Sequence, residues 1–134
     1  MRTFLCFVLF ALGGPITFAQ TSKPSPDASN LVGSWIGEWS SVRSGGRFEF
    51  DIASFDGERM TGRVNSEAQA CTIGWTPLSG KLVGDEIRGT YTIGRPCGRV
   101  EIIFPFPRGE VIEGKWTSEY PGNGTFRLVK QRSK

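Results

Sequence analysis

From Leu31 to Lys130 apolar and polar residues alternate with a period of two, and glycine-bearing turns break the alternation every eight to twelve residues. No stretch keeps the three-and-four spacing of an amphipathic helix, so the pattern predicts an all-β chain. Strands are expected at 31–40, 47–54, 58–66, 71–83, 86–94, 99–106, 110–118 and 124–131. Antiparallel neighbours must set inward residues against inward residues, because side chains alternate across a strand. That condition pairs Phe48 with Val64, Phe50 with Gly62 and Ile52 with Met60 around a Phe55-Asp56-Gly57 turn. It pairs Leu78 with Tyr91, Gly80 with Gly89 and Leu82 with Ile87 around Gly84-Asp85. It also sets Val100 against Trp116, Ile102 against Gly114 and Phe104 against Ile112, then Trp116 against Phe126 and Gly114 against Leu128. Pro77 has no N–H for a ladder, which predicts a bulge or bend there.

Segments 57–64, 84–91 and 109–116 share one pattern: a turn glycine, an acid, an inward apolar residue, an inward glycine and a second inward apolar residue. Inward Gly62, Gly89 and Gly114 allow strands to coil tightly and make room for a large side chain opposite. Tight coiling and the avoidance of exposed edges favour a single antiparallel up-and-down β-barrel of about eight strands. A two-sheet β-sandwich is the alternative.

The segment ahead of the barrel changes the setting. Met1-Arg2 precedes an apolar run from Thr3 to Leu12, a Gly13-Gly14-Pro15 break and Thr17-Phe18-Ala19. This reads as a secretory signal peptide over 1–19, too short for a bilayer span. A disordered leader over 20–30 and a barrel domain over 31–131 follow, and the expected location is secreted or periplasmic. Cys6 leaves with the signal. Cys71 and Cys97 then form a disulfide in an oxidising compartment, worth ~3–4 kcal/mol in the loop-entropy picture. It would clamp the open end of the strands at 71–83 and 86–94.

The formal charge is +3, with no clustered basic run, which argues against nucleic acid as a partner. The chain has no histidine, so it lacks the commonest general base and zinc ligand. No catalytic constellation, metal set or cofactor motif is visible, and no enzyme is expected. The acidic pairs Asp56/Glu58 and Asp85/Glu86 fit exposed turn chemistry. Asn123-Gly124-Thr125 matches both a glycosylation sequon and a hairpin turn.

In an up-and-down barrel alternate connections share an end. The short turns near Asp56, Gly84 and Pro107 fall with both termini. The longer connections, at 40–46, 66–70, 95–98 and 119–123, form the other end, edged by Arg43, Arg47, Arg95 and Arg99 against Glu67 and Glu119. Ligand sites in small barrels form where the loops are longer. The candidate ligand-binding residues are therefore Trp39, Tyr91 and Trp116 from the interior and Arg43 and Arg95 from the rim. Two uses of the interior stay open: the aromatics fill a core, or the glycines leave a hollow into which an amphipathic molecule inserts.

Gly33-Ser34-Trp35 on the first strand, with Arg127 near the end of the last, resembles the opening and closing of calycin-type barrels, the group of lipocalins, avidins and a class of bacterial metalloprotease inhibitors. The resemblance covers the strand plan and a handful of identities. It implies a tryptophan, Trp35, closing the barrel base with a late arginine, Arg127, packed across it, although alternation points Trp35 in and Arg127 out. An avidin-like site would carry asparagine where Gly37 stands. Gly74-Trp75-Thr76-Pro77 looks like the Gly-Trp-x-Pro segment of the inhibitors, whose protruding N-terminal strand the leader over 20–30 resembles only in being extended. Their first cysteine lies on an early strand, where this chain has Phe48 to Ile52. The function expected is a binding module for a small amphipathic ligand, which the arginines allow to be anionic. The alternative is a module that binds an extracellular protein, such as a protease inhibitor.

Overall fold

The computed structural model describes residues 13–14, 26–67, 74–94, 97–119 and 122–132. The expected signal peptide (apart from Gly13 and Gly14), the leader up to Ser25, and the Cys71 half of the expected disulfide lie outside the described residues. Eight strands follow one short helix: α1 (Ala28–Leu31), β1 (Gly33–Ser40), β2 (Gly45–Phe55), β3 (Arg59–Ser66), β4 (Trp75–Val83), β5 (Glu86–Ile93), β6 (Gly98–Pro105), β7 (Val111–Ser118) and β8 (Gly122–Lys130). Each strand pairs antiparallel with the next, and β8 returns to β1, which closes the barrel. Closure leaves no open edge, and the sandwich alternative does not apply. No helix among the described residues is long and apolar enough to cross a membrane.

The alternation puts the anticipated residues inside. Phe48, Phe50, Ile52, Met60, Val64, Leu78, Ile87, Ile102, Phe104, Ile112, Phe126 and Leu128 are all buried. Phe48, Phe50, Phe104 and Phe126 meet on the barrel axis with ring centroids 4.8–6.1 Å apart. Most of these contacts are edge-to-face, the arrangement that aromatic quadrupoles favour. The inward glycines do not leave a hollow beside them. A Cβ on Gly62 would strike the Asp51 carbonyl, and one on Gly114 would lie 2.5 Å from both the Ile103 carbonyl and the Phe126 ring. Backbone of the neighbouring strand fills those places, so the centre of the barrel is packed.

Registers follow the turns. The two-residue Gly84-Asp85 turn gives Gly80 opposite Gly89 and Leu82 opposite Ile87, as expected. The other three hairpins slip by two residues while every side chain keeps its face: Phe50 faces Val64, Ile102 faces Trp116 and Gly114 faces Phe126. In the first of these the Asp56 carboxylate accepts from the N–H groups of Glu58 and Arg59, which places the turn at Asp56–Glu58. Ladder pairing shifts between Ile52 and Ser54, a bulge that turns Phe55 inward. Phe55 is thus not a turn residue but part of the core, with its ring 5.3 Å from Phe106. The β3–β4 ladder runs unbroken through Pro77, which faces Arg63. The expected disruption is on the other side: the β4–β5 ladder stops at Ser79, and the Thr76 hydroxyl donates to the Thr92 carbonyl beyond it.

The leader is not wholly irregular. Ala28–Leu31 is one helical turn, N-capped by the Asp27 carboxylate on Ser29 N–H. Four residues are too few to show a helical period in sequence. Gly33, at φ +139°, lets the chain swing from this turn into β1. Leu31 is fully buried, and its carbonyl accepts from the Trp35 indole N–H at 2.9 Å. Trp35 does close the base, but the cation across it is Lys130: its Nζ lies 5.5 Å from the indole and donates to the Ser29 carbonyl. Arg127 sits on the outer wall and pairs with Glu113, because odd positions of β8 point outward.

Candidate functional site

The end opposite α1 is built by β1–β2, β3–β4, β5–β6 and β7–β8. Its β1–β2 and β7–β8 connections are shorter than expected, and its β3–β4 connection is longer. Ser41–Ser44 is a tight turn in which Ser41 Oγ accepts from the N–H groups of Arg43 and Ser44. Asn123-Gly124 is not a turn but lies within β8, paired with Thr117 and Trp116. Residues 67–74 form the long connection, of which 68–73 lie outside the described residues.

Two indoles dominate this mouth. Trp39 lies opposite Gly46 on β2, and Trp116 lies opposite Gly124 on β8. A Cβ on either glycine would come within 2.8 Å of the indole nitrogen of its partner, so each ring lies across a bare backbone. Trp39 Nε1 donates to the Glu67 carbonyl at 2.7 Å, and Trp116 Nε1 donates to the Ser40 carbonyl at 3.3 Å. The rings stand at 87° with centroids 5.5 Å apart. Trp39 is buried, whereas Trp116 is half-exposed. With both N–H groups used on backbone, the corner offers a solvent-side molecule π faces and ring edges rather than donors.

Tyr91 stands across the mouth, 6.3 Å from Phe48 between ring centroids. Burial pushes its phenol well above the usual range, partly offset by a hydrogen bond with the buried Ser66 hydroxyl. The phenol therefore stays neutral throughout the physiological range.

The rim differs from the arginine edge read in sequence. Arg43 is exposed at its turn, and Arg95 lies outside the described residues. Arg47 pairs with Glu49 and Arg99 with Glu101, each two residues along its own strand. These guanidinium groups are occupied on the outer wall. Glu67 and Glu119 begin two of the mouth loops. The Glu119 carboxylate accepts from Arg99 N–H at 3.0 Å, and no cationic side chain meets either carboxylate among the described residues.

Ser66, Gly46 and Gly124 are site residues to which sequence reasoning gave no site role; Glu67 was read at the rim for its carboxylate, whereas it is its backbone carbonyl that holds Trp39. The two glycines share the inward parity of Phe48 and Phe126, but which residue faces each depends on the register; a backbone carbonyl as an indole acceptor leaves no sequence signal. Elsewhere, Trp75 is 43% exposed on the outer wall, with the Arg63 guanidinium 4.5 Å from its ring. A shallow depression between β1, β7 and β8 is lined by polar groups that bond one another, Arg127 with Glu113 and Ser40 with Thr125. No group of three or more potential metal ligands occurs among the described residues.

No protein-family model matches the sequence, and no curated protein is significantly similar to it. Solved structures share its fold. A de novo designed fluorescence-activating β-barrel superposes with a TM-score of 0.62 at 14% identity, covering 79% of this chain and 98% of that one. A redesigned β-barrel superposes with a TM-score of 0.63 at 14% identity, covering 83% of this chain and all of the other. The likeness is one of architecture: an eight-stranded antiparallel barrel closed on itself.

Proposed function

We propose that this chain is an exported, non-enzymatic binding module that holds a small, flat, amphipathic molecule at the mouth of the barrel. The observation that carries the reading is the half-exposed Trp116 indole, fixed edge-to-face against Trp39 by two backbone hydrogen bonds. A ring locked before a ligand arrives loses little freedom on binding, and aromatic side chains dominate binding hot spots for that reason. The packed phenylalanine centre excludes deep insertion, so the ligand lies across Trp116 rather than down the axis. One of the structural neighbours, a de novo designed barrel, is fluorescence-activating, which supports a binding use for a barrel of this architecture. The Cys71–Cys97 bridge, proposed from the sequence, would hold the β3–β4 loop to the same mouth.

The test is fluorescence titration of the mature chain with a flat amphipathic dye. Binding should change tryptophan emission in the full chain and in Trp75→Ala, whose indole lies on the outer wall, and should be lost in Trp116→Ala with circular dichroism unchanged. Binding that persists in Trp116→Ala, or no response to any planar amphipathic probe, would overturn the reading.

A further inference from the structure

We infer that the mouth selects planar cations over anions, a conclusion that rests on the proposed ligand site and reverses the charge preference suggested by the rim arginines in sequence. Three observations combine. Trp116 presents a half-exposed indole beside the perpendicular Trp39 ring, 5.5 Å away. Both indole N–H groups are spent on the carbonyls of Glu67 and Ser40, so what remains for a ligand is the π system, whose face is electron-rich. Tryptophan is the strongest of the aromatic partners for a cation.

The second observation is the state of the arginines. Arg47 and Arg99 lie on the outer wall beside Glu49 and Glu101, whose carboxylates offset their charge toward an anion in the opening. The third is the placement of carboxylates. Glu67 is the residue whose carbonyl anchors Trp39, and Glu119 lies three residues beyond Trp116; both are exposed and without a cationic side chain among the described residues. Arg43 is the rim cation that stays unpaired among the described residues, and it is exposed in a turn, where solvent screens it. An aromatic quaternary ammonium would thus stack its ring on Trp116, in a mouth whose exposed rim carboxylates, Glu67 and Glu119, favour a positive charge over a negative one. The phenol of Tyr91, neutral and bonded to Ser66, adds polar wall without adding charge.

The probes are (2-naphthylmethyl)trimethylammonium, 2-naphthalenemethanol and 2-naphthalenesulfonate, which share one ring system and differ in charge. Equilibrium dialysis against the mature chain should rank cation over alcohol over sulfonate. The cation should bind roughly three- to fivefold tighter than the alcohol at about 0.02 M salt, with the gap narrowing by about 0.5 M. Glu67→Gln and Glu119→Gln should each reduce the cation's advantage about twofold while leaving the alcohol unchanged; glutamine still accepts the Arg99 N–H. Trp116→Phe, which keeps a ring in place, should weaken all probes but preserve the rank order. A sulfonate that binds best, or a cation no tighter than the alcohol, would overturn the charge inference while leaving the mouth as a binding site. If no probe binds, the proposed site itself fails and the inference falls with it.

Discussion

Gly62, Gly89 and Gly114 occupy equivalent places in the repeated sequence pattern, yet the structure separates them. A Cβ at Gly89 would meet side-chain atoms only, Ile102 Cγ1 at 3.0 Å, Ile102 Cδ1 at 3.2 Å and Leu78 Cδ1 at 3.4 Å. Those are side-chain atoms rather than backbone, and need give by a few tenths of an ångström. At Gly62 the obstacles are the Asp51 carbonyl and Ile52 Cα, and at Gly114 they are the Ile103 carbonyl and Phe104 Cβ as well as the Phe126 ring. Relief there requires two paired strands to separate. Gly89→Ala removes freedom from the unfolded chain, worth about 0.4–1 kcal/mol, against a small repacking cost, and should lie within about 0.5 kcal/mol of wild type. Gly62→Ala and Gly114→Ala should each destabilise by about 1–3 kcal/mol, the usual cost of overpacking a core. For a domain near 100 residues, a difference of about 2 kcal/mol between the two classes separates melting temperatures by roughly 8 °C or more. Thermal and urea unfolding of the three variants measure it. Equal losses at all three positions, or the largest loss at Gly89, would refute the claim that strand backbone occupies the glycine sites.

At the base, Lys130→Ala should cost about 1–2 kcal/mol through the lost contact with Trp35 and the freed Ser29 carbonyl, whereas Arg127→Ala should stay within about 0.5 kcal/mol; urea midpoints decide, and the reverse order would return the capping role to Arg127. Trp35→Phe should cost about 2 kcal/mol or more, because the buried Leu31 carbonyl loses its donor, and a variant as stable as wild type would show that the base does not depend on that bond. The carboxyls of Asp56 and Asp27 are held below the ordinary carboxylate range, Asp56 by the N–H groups of Arg59 and Glu58 and Asp27 by that of Ser29. Groups with depressed values contribute above the unfolded pKa and lose that contribution as pH falls through the folded one. The wild type should therefore lose more stability between about pH 4 and about pH 2.5 than the Asp27→Asn/Asp56→Asn double variant; parallel pH profiles would contradict this.

The fold was largely legible, and the register errors show what was missing. A slip of two residues keeps every side chain on its own face, so a period-two pattern cannot distinguish one even register from the next. Turn chemistry makes that choice. Where the turn had only two residues, Gly84-Asp85, no freedom remained and the pairing of Gly80 with Gly89 was readable. Where Asp56 could cap two N–H groups and Ala53 could bulge, the hairpin settled two residues away. At the site, Trp39, Tyr91 and Trp116 were readable as inward aromatics near one end. The fate of the arginines was also on the page, because Arg47 with Glu49 and Arg99 with Glu101 sit two apart on one strand face. Lys130 likewise shares the inward parity of Phe126 and Leu128, which Arg127 does not.

The inward glycines connect architecture with the location of any ligand. In isolation they suggested empty volume, since a missing side chain opposite a large one can leave a hollow. In the closed barrel the same absence lets neighbouring strands approach until backbone carbonyls take the space, and the four phenylalanines fill the rest. Trp35, Leu31 and Lys130 stop the base. What remains accessible is the layer above Phe48 and Phe126, where glycine does a different job. Gly46 and Gly124 clear the backbone beneath Trp39 and Trp116, and the freed space is taken by the indoles themselves, turned so that their N–H groups reach carbonyls on the strand and loop beside them. One residue type thus packs the middle of the barrel shut and fixes an aromatic corner at its mouth, which is why recognition is assigned to the rim of this barrel and not to its interior.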